Sequence, residues 1–187
     1  DKEILEKEVN DQVQLLMPLL GEIVYGIESE DILEVIVAKL LTQKKRTLSV
    51  AESCTGGKLA AAFTAIPGAS AYFKGGVVAY ETAQKSNLLG VSKSLIEQHS
   101  VVSKEVASAM ALGVQKLMGS DFAIATTGNA GPTKGDSEAP LGTVCIAIAH
   151  PKGVYSEIFS MGNHRERIVQ KTVNKALALL QKEIIKF

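Results

Sequence analysis

Short apolar runs alternate along this chain with segments in which apolar side chains recur every three or four residues. The runs at 122–126 and 143–149 are nearly continuous in apolar character, as expected of strands that are covered on both faces. The run at 154–159 alternates between apolar and polar residues, which is typical of an edge strand. Strands interleaved with helices predict an α/β fold, a three-layer α/β/α sandwich with a central mixed sheet.

The same two signals, short apolar runs for strands and apolar residues every three or four positions for helices, predict the other elements of the main domain. Further strands are predicted at 48–51 and 75–80. Helices are predicted at 31–45, 55–63, 82–89, 92–98, 103–118 and from 162 to the C-terminus. Ser103 is the expected N-cap of its helix, because its hydroxyl can accept a hydrogen bond from the first turn.

The first 26 residues differ from the rest of the chain in organisation. Apolar spacing predicts an amphipathic helix over 4–20, and a short β-type run at 22–25 leads into an acidic stretch where we expect a linker. One helix and one strand bury little surface alone, so we interpret 1–26 as the remnant of an upstream domain or linker. The main domain is then 27–187. The alternative is that the N-terminal helix is an integral part of the main fold.

Composition excludes several classes of function. The 187 residues are 46% hydrophobic and carry 20 basic and 20 acidic side chains, a formal net charge of zero. Binders of nucleic acid or membrane surfaces show a basic face, so we expect neither kind of partner. No apolar run reaches the roughly 18–20 residues of a bilayer span and no leader-like segment opens the chain, which predicts a cytoplasmic protein. Two cysteines and three histidines lie scattered, so we expect no metal site.

The residues AESCTGG at 51–57 join a predicted buried strand directly to a helix. Backbone N–H groups in such a turn point to the crevice beyond the strand, a natural site for an anion or oxyanion. Ser53 stands at the turn itself, where its hydroxyl can be presented to a ligand. The alternative is a tight connection in which Ser53 or Thr55 merely caps the helix.

A second glycine-rich turn, TGNAGPTKGD at 127–136, also follows a predicted buried strand. It matches neither the dinucleotide-binding pattern nor a Walker loop. Ligands of open α/β sheets bind at the carboxyl ends of strands, so the two turns can face each other across one pocket. The alternative is a surface loop without a ligand.

Tyr80 ends a predicted strand, and Lys85 follows five residues later in the next predicted helix. At the same sheet edge as Ser53, a lysine can be the base that a serine nucleophile needs when no histidine is near. An unperturbed lysine, with a pKa of about 10.4, is protonated at neutral pH, so this role requires burial or a cationic neighbour. Without such a perturbation Lys85 is a solvated surface residue.

Several short motifs, in order, carry a resemblance to a known family. They are AESCTGG at 51–57, PGASAYF at 67–73, GGVVAY at 75–80, LGV at 89–91, VS at 102–103, TGNAGP at 127–132 and GTV at 142–144. With these motifs the chain resembles the CinA C-terminal-domain family, the nicotinamide-nucleotide amidases, from about residue 30 to its end.

This resemblance implies hydrolysis of the carboxamide of nicotinamide mononucleotide to nicotinate mononucleotide and ammonia, in pyridine-nucleotide recycling. It implies a serine mechanism without metal or cofactor. By position, Ser53 matches the nucleophile, Lys85 the general base, and Tyr80 a tyrosine that assists by hydrogen bonding near the hydroxyl. The expected substrate-binding residues are Cys54, Thr55, Gly56, Gly57, Thr127, Gly128, Asn129 and Arg165.

Within these expectations, backbone N–H groups of Cys54, Thr55 and Gly56 are candidate oxyanion donors. Arg165 matches a family arginine and ranks before Lys134 as the cation for the substrate phosphate. We also expect a homo-oligomer and an upstream domain of a longer chain.

Three alternatives stay open. Cys54 can compete as nucleophile, although it has no evident histidine partner. The domain can bind a nucleotide without catalysis, or act as an interaction domain in competence or DNA-damage responses. The second turn also departs from the family pattern, at Asn129 and at Glu138 to Pro140, as do residues 163–164 before Arg165. These departures bear on phosphate contacts and substrate preference.

Overall fold

The computed structural model describes residues 2–20, 32–133 and 135–187. It divides into two compact units, Asp1–Ile32 and Leu33–Phe187. In the first unit, α1 (Lys2–Leu20) confirms the predicted amphipathic helix, and none of its described side chains is buried. The predicted β-type run at 22–25 and the acidic stretch lie outside the described residues. The division into a remnant at 1–26 and a main domain at 27–187 stays a prediction.

The second unit contains the predicted strands and helices, with their ends shifted by a few residues. They are α2 (Leu33–Gln43), β1 (Leu48–Glu52), α3 (Lys58–Thr64), β2 (Phe73–Val78), α4 (Thr82–Leu89), α5 (Lys93–His99), α6 (Lys104–Met118), β3 (Phe122–Gly128), β4 (Thr143–His150), β5 (Gly153–Ser160) and α7 (Arg165–Lys186). Ser103 caps α6 as predicted, since its hydroxyl accepts a hydrogen bond from the Val106 N–H. No helix among the described residues is long and apolar enough to cross a bilayer.

The five strands form one mixed sheet in the order β2-β1-β3-β4-β5. Strand β1 pairs in parallel with both β2 and β3, while β3, β4 and β5 are antiparallel neighbours. The carboxyl ends of β2, β1 and β3 therefore meet at one sheet edge, where ligands of open α/β sheets bind. Strand β5 is an edge strand, as its alternating pattern predicts.

The two faces of the sheet carry side chains of different size. Large residues such as Val50, Ile124 and Ile146 pack with α2, α3 and α7 in one core. Alanines from β1, β3 and β4 pack with α6 and its neighbours in the other core. Small side chains let α6 approach the sheet closely. The arrangement confirms the predicted three-layer α/β/α sandwich.

Candidate functional site

The turn after β1 is held by Glu52, the last residue of that strand. Its buried carboxylate accepts hydrogen bonds from the N–H groups of Gly57 at 3.0 Å, Leu59 at 3.0 Å and Ala60 at 2.8 Å. A carboxylate at the start of a helix satisfies donors that lack intrahelical partners and lies at the positive end of the helix dipole. Glu52 therefore anchors α3, and neither Ser53 nor Thr55 serves as its cap.

Sequence reasoning missed Glu52. A glutamate at the end of a short buried strand, six residues before the first residue of a helix, is the signal that indicates such an internal anchor. Gly57 completes the turn with a φ of 99°, a backbone conformation that suits glycine. Because Glu52 caps α3, the hydroxyl of Ser53 is available for a different contact.

Ser53 and Lys85 meet at the sheet edge. Lys85 Nζ lies 3.1 Å from Ser53 Oγ and also donates to the carbonyls of Ala79 at 2.9 Å and Tyr80 at 3.4 Å. The two carbonyls occupy two of the three directions of the nitrogen. The third direction points to the Ser53 hydroxyl, where a neutral amine can accept the hydroxyl proton.

Lys85 is almost fully buried, with 1% of its surface exposed. Burial disfavours the charged form and lowers the pKa of Lys85 below its ordinary value, whereas the negative charge of Asp136 opposes this shift. A lowered pKa increases the fraction of neutral amine, which is the form that a general base needs. The solvated-surface alternative for Lys85 does not apply.

A cleft of about 420 Å³ opens beside this pair. Its walls include the ends of β1 and β3, the start of α4 and the loop after β3. The predicted site residues that line it are Ser53, Cys54, Tyr80, Lys85, Thr127, Gly128, Asn129 and Arg165. The structure thus brings both glycine-rich turns to one pocket.

Three predicted binding residues, Thr55, Gly56 and Gly57, are not among the cleft-lining residues of the described chain. The Thr55 hydroxyl forms a hydrogen bond with the Thr126 hydroxyl at 2.7 Å, and the Gly57 N–H donates to the Glu52 carboxylate. The Gly56 N–H donates to the Ser53 carbonyl at 3.1 Å. Of the three candidate oxyanion donors, Cys54 remains, because it lines the cleft and its N–H donates to no backbone carbonyl within the described residues.

Tyr80 has a different side-chain partner from the one that the resemblance implies. Its hydroxyl accepts a hydrogen bond from Arg165 Nη2 at 2.9 Å, and Arg165 Nη1 donates to the Gly131 carbonyl at 2.6 Å. Arg165, the first residue of α7, therefore connects the end of β2 to the second glycine-rich turn. Tyr80 touches Lys85 through its own carbonyl.

Thr127 and Asn129 hold the second turn in place. The Thr127 hydroxyl donates to the Val101 carbonyl at 2.8 Å, and the Asn129 amide donates to the Ala139 carbonyl at 2.7 Å. Gly128 is confined between them, since a Cβ there would lie 2.7 Å from the Thr143 carbonyl oxygen. These residues shape the cleft wall. Lys134, the second candidate for the phosphate, lies outside the described residues.

An apolar part of the wall comes from Val101 and Val102, which sequence reasoning did not select. The preceding residue, Ser100, has φ 69° and ψ 154°, a region that non-glycine residues rarely occupy. Its carbonyl accepts a hydrogen bond from the Ser103 hydroxyl at 2.9 Å. This strained corner turns the two valines toward the cleft, where they form an apolar part of its wall.

Cys54 is a weak competitor for the role of nucleophile. Burial raises the pKa of its thiol to about 12, so the thiol is protonated at neutral pH.

The structure groups no evident set of metal ligands. In residues 2–20, 32–133 and 135–187, no three His, Cys, Asp or Glu side chains are close enough together to hold a metal ion.

The role of Glu52 leads to a first prediction. In Glu52→Gln the charged acceptor of three N–H groups becomes neutral, and the free energy of unfolding falls by about 1–3 kcal/mol. Urea denaturation measures the change. Glu97→Gln, an identical substitution at an exposed position of α5, serves as the control and stays within about 0.5 kcal/mol of the parent. Equal stability of the two variants would contradict the anchoring role.

Comparison with known proteins gives a consistent set of similarities. The sequence profile of the CinA C-terminal domain matches residues 30–184. The chain is 50% identical over 186 residues to a CinA-like protein of Flavobacterium psychrophilum, covering 100% of this chain and 44% of that protein. It is 40% identical over 182 residues to a CinA-like protein of Fervidobacterium nodosum, covering 97% and 44%. The chain thus spans less than half the length of these curated relatives.

Solved structures show the same similarity at the level of the fold. A CinA superfamily protein from Klebsiella pneumoniae superposes with a TM-score of 0.80 at 34% identity, covering 83% of this chain and 97% of that one. A competence/damage-inducible protein from Agrobacterium tumefaciens gives a TM-score of 0.76 at 36% identity, covering 79% and 91%.

Proposed function

Because the chain belongs to the CinA C-terminal domain family, we propose that it is an amidase that hydrolyses the carboxamide of nicotinamide mononucleotide. The products are nicotinate mononucleotide and ammonia. The observation that carries the mechanism is the 3.1 Å contact between Lys85 Nζ and Ser53 Oγ at the edge of the cleft. A buried amine beside an activated hydroxyl is the arrangement that serine nucleophiles use when histidine is absent.

The first half of the reaction transfers the acyl group to the enzyme. The Lys85 amine takes the Ser53 proton as Oγ attacks the carboxamide carbon, which forms a tetrahedral oxyanion. The N–H group of Cys54 is the proposed donor to that oxygen, and one well-placed donor contributes roughly 2.7–4 kcal/mol. The Lys85 ammonium then gives its proton to the departing nitrogen. The amide C–N bond breaks, ammonia leaves, and an ester between Ser53 and the carboxyl group of nicotinate mononucleotide remains.

The second half returns the enzyme to its starting state. Water gives a proton to the Lys85 amine and attacks the ester carbon, and the oxyanion of the resulting tetrahedral species again accepts a hydrogen bond from the Cys54 N–H. Ser53 recovers the proton from Lys85 as the ester bond breaks. The carbonyls of Ala79 and Tyr80 keep the Lys85 nitrogen aimed at Ser53 throughout both halves.

Arg165 is the proposed contact for the substrate phosphate. Its guanidinium uses one N–H toward Gly131 and one toward Tyr80, and it has five N–H donors in total. The remaining donors suit phosphate oxygens, which arginine binds with favourable geometry. Tyr80 and Gly131 thus position Arg165 at the cleft.

Two further expectations from the sequence, assembly as a homo-oligomer and an upstream domain in a longer chain, stay predictions.

Product analysis tests the proposal. We expect the purified chain to convert nicotinamide mononucleotide to equal amounts of ammonia and nicotinate mononucleotide, measured by a coupled ammonia assay and by chromatography. Nucleotide binding without ammonia release would contradict the proposal and favour a non-catalytic binding module. Capture of a protein partner without either would favour an interaction domain.

A further inference from the structure

The cleft carries opposite charges on its different walls. Carboxylates of Glu81 and Asp136 and the guanidinium of Arg165 all line it, together with the buried amine of Lys85. The arginine has a proposed use, the substrate phosphate. The carboxylates have none in the mechanism above, and a carboxylate near an anionic substrate costs binding energy unless the substrate also carries a positive charge.

Asp136 lies at the reactive end of the cleft. Its Oδ2 accepts a hydrogen bond from the Thr82 hydroxyl at 2.8 Å, and Thr82 is the first residue of α4. Lys85 is three residues further along the same helix, a spacing that places two side chains on one helix face. The charge of Asp136 also opposes the lowering of the Lys85 pKa, which fits an anion close to that amine.

The proposed substrate brings a cation to the same place. The ring of nicotinamide mononucleotide is a pyridinium, and its carboxamide is attached directly to that ring. When the carboxamide reaches Ser53 and Lys85, the positive ring must lie beside them. Asp136 is solvent-exposed, so the attraction between its carboxylate and such a charge is partly screened by water and is modest in size.

From this geometry we infer that Asp136 determines specificity by selecting substrates whose ring is a pyridinium cation over analogues with a neutral ring. The inference rests on the proposed function and adds a discriminating contact to it. Thr82 positions the carboxylate through its hydroxyl, so that Asp136 faces the ring while Arg165 holds the phosphate.

Two nucleotides that differ mainly in ring charge test this inference. Nicotinamide mononucleotide and its reduced dihydropyridine form share the carboxamide, the ribose and the phosphate. Dissociation constants are measured by calorimetry with the Ser53→Ala protein, in which turnover does not consume the ligand. We expect Asp136→Asn in this background to weaken binding of the cationic nucleotide by about threefold to fivefold and that of the neutral one by less than about 1.5-fold. Asp136→Glu keeps most of the preference, and Glu97→Gln changes neither constant.

Equal weakening of both nucleotides by Asp136→Asn would overturn the inference, because an effect through Lys85 or through folding acts on the shared carboxamide. No change in either constant would overturn it as well. A measurement with Asp136 intact adds an independent test: equally tight binding of the two nucleotides to the Ser53→Ala protein also sinks it. Failure of the proposed function is seen separately, as absence of ammonia release by the unmodified chain.

Discussion

We expect replacement of Ser53 with alanine to lower ammonia release from nicotinamide mononucleotide by roughly 10⁴-fold or more, since loss of a nucleophile that acts as a unit with its base removes nearly all chemical acceleration. Lys85 then has no hydroxyl to deprotonate at the 3.1 Å contact. Single-turnover assays with saturating substrate measure the change in the chemical step. Ser94→Ala, on the exposed surface of α5, is the matched control and keeps the rate of the parent protein.

The acyl intermediate distinguishes Ser53 from its neighbour Cys54. Rapid acid quenching during turnover, followed by peptide mass spectrometry, should locate the acyl group of nicotinate mononucleotide on Ser53. The adduct should persist in Cys54→Ala and vanish in Ser53→Ala. An adduct found on Cys54 would reverse the assignment of the nucleophile, despite the high pKa that burial gives this thiol.

Replacing Lys85 with methionine removes the base and keeps a side chain of similar length. We expect ammonia release to fall by about 10³-fold or more, because positioned proton transfer contributes typically 10²–10⁴-fold and Lys85 serves both the attack and the departure of the leaving group. In the parent protein, kcat/KM rises with pH as the Lys85 ammonium loses its proton. Lys85→Met lacks this dependence in its residual rate.

The same substitution has a defined effect on stability as a function of pH. In the folded protein burial lowers the pKa of Lys85, so the unfolded chain binds more protons between that lowered value and the ordinary lysine value. Folding stability of the parent protein therefore rises with pH through this window, with a slope of up to about 1.4 kcal/mol per pH unit for one proton. Below this pH range Lys85 is protonated in both the folded and the unfolded state, so the free-energy cost of burying its charge is fully present.

Urea denaturation at several alkaline pH values measures the free energy of unfolding of Lys85→Met and of the parent protein. Relative to the parent, Lys85→Met is most stable at the lowest pH and loses that advantage as pH rises toward the ordinary lysine pKa. Lys93→Met, at an exposed position of α5, is the control and follows the parent at every pH. Parallel curves for Lys85→Met and the parent would show that the amine carries no burial cost and has an ordinary pKa.

The sequence predicted most of the architecture because helix and strand periods are local signals. The continuous apolar runs of β3 and β4, the alternating pattern of β5 and the capping serine of α6 each require only neighbouring residues. The family resemblance likewise assigned roles to Ser53, Lys85 and Arg165, all of which line the cleft. The first and last residues of helices and strands were predicted less accurately than the elements themselves, because a terminal turn depends on tertiary contacts.

Contacts between distant segments were beyond the sequence. Tyr80 was expected near the Ser53 hydroxyl, yet its own hydroxyl binds Arg165, which is 85 positions away in the chain. Thr55 and Gly57 were expected to bind substrate, yet their polar groups turn to Thr126 and Glu52. A side chain's choice among several possible partners depends on which groups the fold places beside it.

What the amino-acid order determined by itself is the alternation of elements, the sharp turn after β1 and the residue types able to perform amide chemistry. The tertiary structure alone decided the burial of Lys85, its contact with Ser53 across 32 positions and the placement of the Glu52 and Asp136 carboxylates. The reason is physical. Periodicity depends on neighbours along the chain, whereas desolvation and charge depend on everything that packs around a group in three dimensions.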